Sequence, residues 1–382
     1  MLTRRFFLAM GGASATSLAF PRMAFAKART DRRFVFVIQR GAADGLHILA
    51  PTGDPAYAGI RGDFARDFET GAKINSFFTL HPALAQTAQL YSDRQALFAH
   101  AVASSYRDRS HFDGQNVLET GGSAAYQLRD GWMNRLLGLL PPGEAKALAL
   151  SSTVPMALRG SNEVSSYAPV QLSKPSEDLL TRVSGLYQSD PQLHGMWDAA
   201  LQTRQMAGEV TAAAGQNGAA VGALAAKMLG GANGARIAMI ETNGWDTHSG
   251  QRGRLTAQLK GLDQTVAALK TGLGSDWNNT LVLVATEFGR TVRPNGTQGT
   301  DHGEASLAML LGGAVAGGKV TADWPGLGQG GLYEGRDLKP TTGLDSLVAA
   351  ALAQHFGLEP PLVMKTLFPE SSGPALPQTL IA

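Results

Sequence analysis

The chain has 382 residues, 44% of them hydrophobic and 17% charged, which supplies one large or two modest cores and excludes general disorder. It has no cysteine, so disulfides, thiolate zinc sites, iron–sulfur clusters, a cysteine nucleophile and a cysteine-derived formylglycine are excluded, and any metal must be held by imidazole, carboxylate, hydroxyl or carbonyl groups. Removing the three arginines of residues 1–26 from 33 basic residues leaves 30 against 31 acidic ones, and a near-neutral chain without a basic, aromatic-interleaved run has no electrostatic footprint for nucleic acid.

Residues 1–26 read as an export signal. Thr3-Arg4-Arg5-Phe6-Phe7-Leu8 resembles the twin-arginine motif, a Gly/Ala/Ser-rich apolar stretch runs to Phe20, and Ala24-Phe25-Ala26 has the small-x-small form of a cleavage site. The expectation is a periplasmic protein, carried by the twin-arginine translocase, with residues 27–382 as a single domain. The apolar stretch is too short and glycine-rich for a stable membrane span, and no other run of about 20 apolar residues follows.

Phe34–Ile38 is an apolar run of the kind that forms a buried strand, and it ends in a glycine-flanked turn carrying Asp44, with His47 just beyond. Asp54–Gly71 reads as polar loop and residues 81–94 as a helix with Leu84 and Leu90 inward. Ala96–Ala103 is a second strand that runs into Arg109, Ser110, His111 and Asp113 at a helix start. Residues 115–140 read as helical with Trp132, Leu136 and Leu140 buried, and Ala147–Leu158 as a strand. Residues 160–218 hold an amphipathic segment, Leu179–Trp197, and an Ala/Gly/Gln linker, Ala212–Ala220; this region is expected to be a helical insertion or cap, with His194 structural.

Ala235–Ile240 is the next strand and leads to Asp246 and His248, which alternate to one side of an extended segment and can face one ion. A helix over Arg254–Thr271 follows. Leu281–Ala285 then gives a strand that ends in Glu287 and Arg290, and the Pro294–Gly299 loop returns the chain to Asp301 and His302. Ala305–Leu311 is a strand, and Leu344–Phe356 an amphipathic helix capped by His355.

Apolar strand, polar cluster and helix recur four times, which predicts an α/β fold with a mostly parallel sheet and helices on both faces. Ligands gather beyond the carboxyl ends of such strands. Oxygen and imidazole donors there suit one or two divalent ions, zinc, manganese, magnesium or calcium. Such ions can clamp a small anionic phosphate or sulfate ester, with Ser110 as nucleophile and Arg109 or Arg290 on its oxygens. A nicotinamide or flavin enzyme is the weaker reading, because the first strand is followed by no GxGxxG turn.

Arg40-Gly-Ala-Ala-Asp44-Gly-Leu, Arg109-Ser-His-Phe-Asp113, Gly244-Trp-Asp-Thr-His248, Thr286-Glu-Phe-Gly-Arg-Thr291, Gly299-Thr-Asp-His-Gly303 and Arg336-Asp-Leu-Lys-Pro-Thr-Thr together resemble the domain-of-unknown-function 1501 family over nearly the whole chain after residue 26. That resemblance implies an alkaline phosphatase/sulfatase-like three-layer sandwich. It implies Asp44, Asp246, His248 and His302 as metal ligands, and Ser110 followed by Thr120-Gly121 as the nucleophile motif. Where such relatives carry Asp-His, this chain has Glu287-Phe288. One metal, a rearranged site using His111 or Asp113, or a degenerate site on a non-catalytic ligand- or partner-binding protein are the alternatives this leaves.

Overall fold

A computed structural model of the chain describes residues 31–141, 146–167, 177–207, 217–371, 373–374 and 376–382; the expected export signal and most of the expected 212–220 linker lie outside them. The labelled elements in chain order are β1 (Arg33–Gln39), α1 (Ala85–Ser92), β2 (Ala96–Ala103), α2 (His111–Thr120), α3 (Trp132–Leu137), β3 (Ala147–Leu150), β4 (Val164–Ser166), α4 (Glu177–Tyr187), α5 (Pro191–Ala207), α6 (Gly218–Leu229), β5 (Ile237–Thr242), α7 (Gln251–Leu273), β6 (Thr280–Ala285), β7 (Ser306–Leu311), β8 (Lys319–Thr321), β9 (Thr342–Gly343), α8 (Leu344–Phe356) and α9 (Pro360–Leu367).

The main sheet has the order β8-β2-β7-β6-β1-β5-β3-β4, with β9 also pairing β2. β1 lies in its middle and pairs in parallel with both β5 and β6. Because side chains alternate across a strand, one strand feeds two cores. Phe34, Phe36 and Ile38 pack with Trp132 of α3, Leu347 and Leu352 of α8 and Leu367 of α9. Val35 and Val37 pack on the other face with Leu224 of α6 and Leu255, Leu259 and Leu262 of α7. Helices therefore cover both faces of a mostly parallel sheet, a three-layer α/β arrangement that explains why the strands read as unbroken apolar runs.

Three local readings change. The helix expected over 115–140 is two helices, because α2 ends on Gly121, whose φ of +70° is the left-handed conformation glycine adopts after a helix. The strand expected over Ala147–Leu158 stops at Leu150, and Met156–Leu158 forms a 3-10 turn instead. Asp54–Gly71 is not only loop: Tyr57–Arg61 is a short α-helix and Gly62–Phe68 a 3-10 helix. β7 also runs antiparallel to both its neighbours, β2 and β6. A strand running that way begins where its neighbours end, so the chain just before β7, including His302, lies at the same edge as the polar ends of β1, β2, β5 and β6. No helix among the described residues is long and apolar enough to cross a membrane.

Candidate metal centre

Four loops meet at the carboxyl edge of the parallel strands. The turn after β1 carries Gly41, with φ +117°, and a Cβ there would stand 2.5 Å from the Asp246 main-chain nitrogen. Only glycine lets the loops after β1 and β5 approach so closely.

His111, Asp246 and His302 form a cluster whose ligand atoms all lie within 4.8 Å of one another. His248 joins it, its Nε2 lying 3.0 Å from His302 Nε2 and 3.0 Å from Asp246 Oδ1. His302 Nε2 is 3.4 Å from Asp246 Oδ1, and His111 Nε2 is 3.5 Å from Asp246 Oδ2. Each imidazole is held through its other nitrogen: His111 Nδ1 lies 2.9 Å from Glu287 Oε1, His302 Nδ1 2.9 Å from the Arg109 carbonyl, and His248 Nδ1 3.1 Å from Asp301 Oδ1. Those acceptors assign the protons to Nδ1 and leave three Nε2 lone pairs aimed at one another and at a carboxylate. His111 Nε2 is buried and has no hydrogen-bond partner. A set of acceptors without a donor among them could hold a cation.

The remaining predicted residues surround this set. Arg290, 1% exposed, donates from Nη1 to Asp246 Oδ1 at 2.7 Å and is braced by both the hydroxyl and the carbonyl of Thr300. Burial alone would raise the Asp246 carboxyl; Arg290, with smaller contributions from His248 and His111, outweighs it and holds it below the ordinary value. Glu287, fully buried, accepts from the Gly41 amide at 2.8 Å, from Gln115 at 3.0 Å and from His111, so it stands behind His111 rather than among the four converging donors. Burial pushes its carboxyl up, but these bonds together hold it below the ordinary value. The bond to Glu287 in turn raises His111, whereas burial and the nearby His111 lower His302.

Ser110 caps the start of α2; its amide donates to the Tyr106 hydroxyl at 3.1 Å, and its own hydroxyl makes no cap bond. Arg109 Nη2 is engaged by Asp337, Glu334 and Glu304 at 2.8, 2.9 and 3.0 Å. Asp113 lies 3.5 Å from the Tyr106 hydroxyl, outside the cluster, and Asp301 touches it only through His248. Asp44 is 1% exposed and is taken up by Arg61 Nη2 at 2.5 Å and Gln251 Nε2 at 2.6 Å.

Several contributors were not singled out from sequence. Gln251, the first residue of α7, uses all four of its hydrogen-bonding positions: Nε2 donates to Asp44 and to His47 Nδ1 at 2.9 Å, and Oε1 accepts from Thr247 at 2.8 Å and Thr300 at 2.6 Å. His47 then donates from Nε2 to Asp67, and burial lowers it. Gln251, Thr300, Arg61 and Gln115 look like ordinary surface residues in sequence; nothing in their spacing marks them.

No curated protein matches the sequence. Among solved structures, the chain is similar to the C-terminal periplasmic domain of EcEptC from Escherichia coli in complex with Zn, at 11% identity over 87% of this chain and 85% of that one, with a TM-score of 0.39. It is also similar to the phosphonate monoester hydrolase of Agrobacterium radiobacter, at 10% identity over 86% of this chain and 74% of that one, with a TM-score of 0.37. The model of the family described as protein of unknown function (DUF1501) matches residues 31–367, and the chain belongs to that family.

Proposed function

We propose that this protein is an exported, metal-dependent hydrolase of phosphate or sulfate esters on an alkaline-phosphatase-like scaffold. The observation that carries the reading is the convergence of His111, His248 and His302 Nε2 with Asp246, each imidazole held from behind. Three imidazoles and one carboxylate are a borderline-soft donor set that favours zinc over calcium or magnesium. Among His248, His302 and Asp246 Oδ1 the separations are 3.0, 3.0 and 3.4 Å, close to the roughly 3.3 Å edge that tetrahedral bonds of about 2.0–2.1 Å require. When bound, a divalent ion supplies positive charge to the ester's anionic oxygens. The chain's own residues do the rest: Glu287 fixes the His111 ring, Arg290 holds Asp246 as an anion, and Ser110 at the start of α2 offers the nucleophilic hydroxyl.

The test is elemental analysis of the purified protein together with turnover of nitrophenyl phosphates, phosphodiesters and sulfates. Stoichiometric metal is expected, with turnover lost in Ser110→Ala and metal and turnover both lost in Asp246→Ala. A metal-free wild-type protein would sink the reading.

One observation favours a second reading, a non-catalytic periplasmic protein that binds a ligand or partner. Arg109 and Arg290, the two arginines expected to hold an anionic substrate, are already engaged by carboxylates, and among the described residues no side chain hydrogen-bonds the Ser110 hydroxyl. Metal present without turnover of any ester in the panel is the outcome that reading expects.

A further inference from the structure

We propose that the centre takes a single divalent ion, and that a second is excluded by two buried guanidinium groups, Arg61 and Arg290. This rests on the metal reading above and adds the count and its cause.

Asp44 is the acid in the turn that follows β1. Arg61 arrives from the short helix Tyr57–Arg61, is fully buried, and is anchored to the Val292 carbonyl at 3.1 Å as well as to Asp44. A buried ion pair is broken only at high cost, because the partner left behind is an unpaired charge away from water. Gln251 takes a further position on the same Asp44 oxygen. The hydrogen-bonded path from Asp44 to the cluster then passes through Gln251, Thr300 and Arg290 before it reaches Asp246. An ion placed between the two carboxylates would have to share that space with the Arg290 guanidinium, against direct repulsion.

Charge gives the same count. The four converging donors and the side chains hydrogen-bonded to them include three carboxylates, Asp246, Glu287 and Asp301, against one guanidinium, Arg290. Two negative charges remain. One divalent ion cancels them; two would leave the same excess of positive charge beside the Arg290 guanidinium, which is itself buried and close to Asp246. Asp44 adds nothing to the balance because Arg61 already neutralises it. In this geometry Asp44 is the ion-pair partner of Arg61 and not a ligand of the ion.

The experiment counts metal per chain in the full protein after loading with zinc and dialysis, for wild type and Asp44→Asn. One ion per chain is expected in both, since asparagine keeps an acceptor for Arg61 and Gln251. Two ions in wild type, or a loss of the ion in Asp44→Asn, would overturn the proposal while leaving a metal centre in place. No ion in wild type would overturn the centre itself and this inference with it. If Asp44→Asn does not fold, the manganese-loaded wild-type protein decides: an isolated-ion hyperfine spectrum is expected, and a spin-coupled pair refutes it.

Discussion

Glu287 shows what residue type predicts and what it does not. Its position after β6 marks it as part of the site, but a carboxylate at a strand end can hold a metal or hold the residue that holds it. Three separate donors, from two distant stretches of chain, decide for the second role in this structure: the Gly41 amide in the turn after β1, and Gln115 and His111 of α2. None of those distances is written in the order of residues. Asp44 is the same case, since its partner Arg61 lies in a segment that reads as loop. Outer partners of this kind typically change metal affinity by about 10- to 100-fold. Glu287→Gln keeps an acceptor for His111 Nδ1 but removes the charge. Zinc affinity, measured by competition with a chromophoric chelator, is expected to fall by about 10- to 100-fold with the far-ultraviolet circular dichroism unchanged. Unaltered affinity would mean that Glu287 does not tune the imidazole.

Elements with a single strong period were legible, and junctions were not. β2 and α8 have the bounds expected from their apolar patterns, because buried hydrophobic surface dominates their choice of structure. The break between α2 and α3 is not legible because the flanking residues alone continue a helical pattern; Gly121 stops it. The reversed direction of β7 depends on the path of the preceding loop, which no periodicity records. That loop bears on the site. Gly299 is buried against the next loop, and a Cβ there would meet the carbonyl carbon and oxygen of His248 at 2.2 Å. Asn295 and Thr297 also hold the His248 carbonyl, so the loop after β6 sets where His248 stands. Gly299→Ala must push the two backbones apart, with a cost on the order of 1–3 kcal/mol for overpacking. Its expected signature is weaker metal binding together with a lowered urea midpoint. His248→Ala lacks the clash and is expected to weaken binding with a smaller loss of stability. Equal stability losses in the two variants would contradict this role for the loop.

At the scale of the whole molecule, the three-layer plan follows from apolar strands that read as buried on both faces, and the polar strand ends follow from their recurrence. Buried polar groups inside the layers are less visible, and they set how the fold responds to acid. His100 lies in the middle of β2, fully buried, with Nε2 donating to the Leu49 carbonyl at 3.0 Å and Nδ1 accepting from the Ala101 amide at 2.9 Å. Both ring nitrogens are thus used by the neutral form, and a second proton would displace the Ala101 bond. Burial lowers His100 from 6.5 to about 4, and burial together with His47 lowers His81 to about 4. The sign follows from which state binds the proton. Between about pH 6.5 and 4 the unfolded chain is protonated at these positions and the folded chain is not, so stability rises with pH across that window and is lost as pH falls through it. Each group contributes a slope of up to about 1.4 kcal/mol per pH unit, and the shift at His100 alone corresponds to roughly 3 kcal/mol. Urea unfolding of the metal-free protein is therefore expected to show a midpoint that falls from pH 7 to pH 4. In His100→Gln, whose amide can still donate to Leu49, the dependence on pH should be shallower whatever the change in absolute stability. A variant that keeps the full wild-type slope would show that His100 is already protonated in the folded protein, which the acceptor role of Nδ1 forbids.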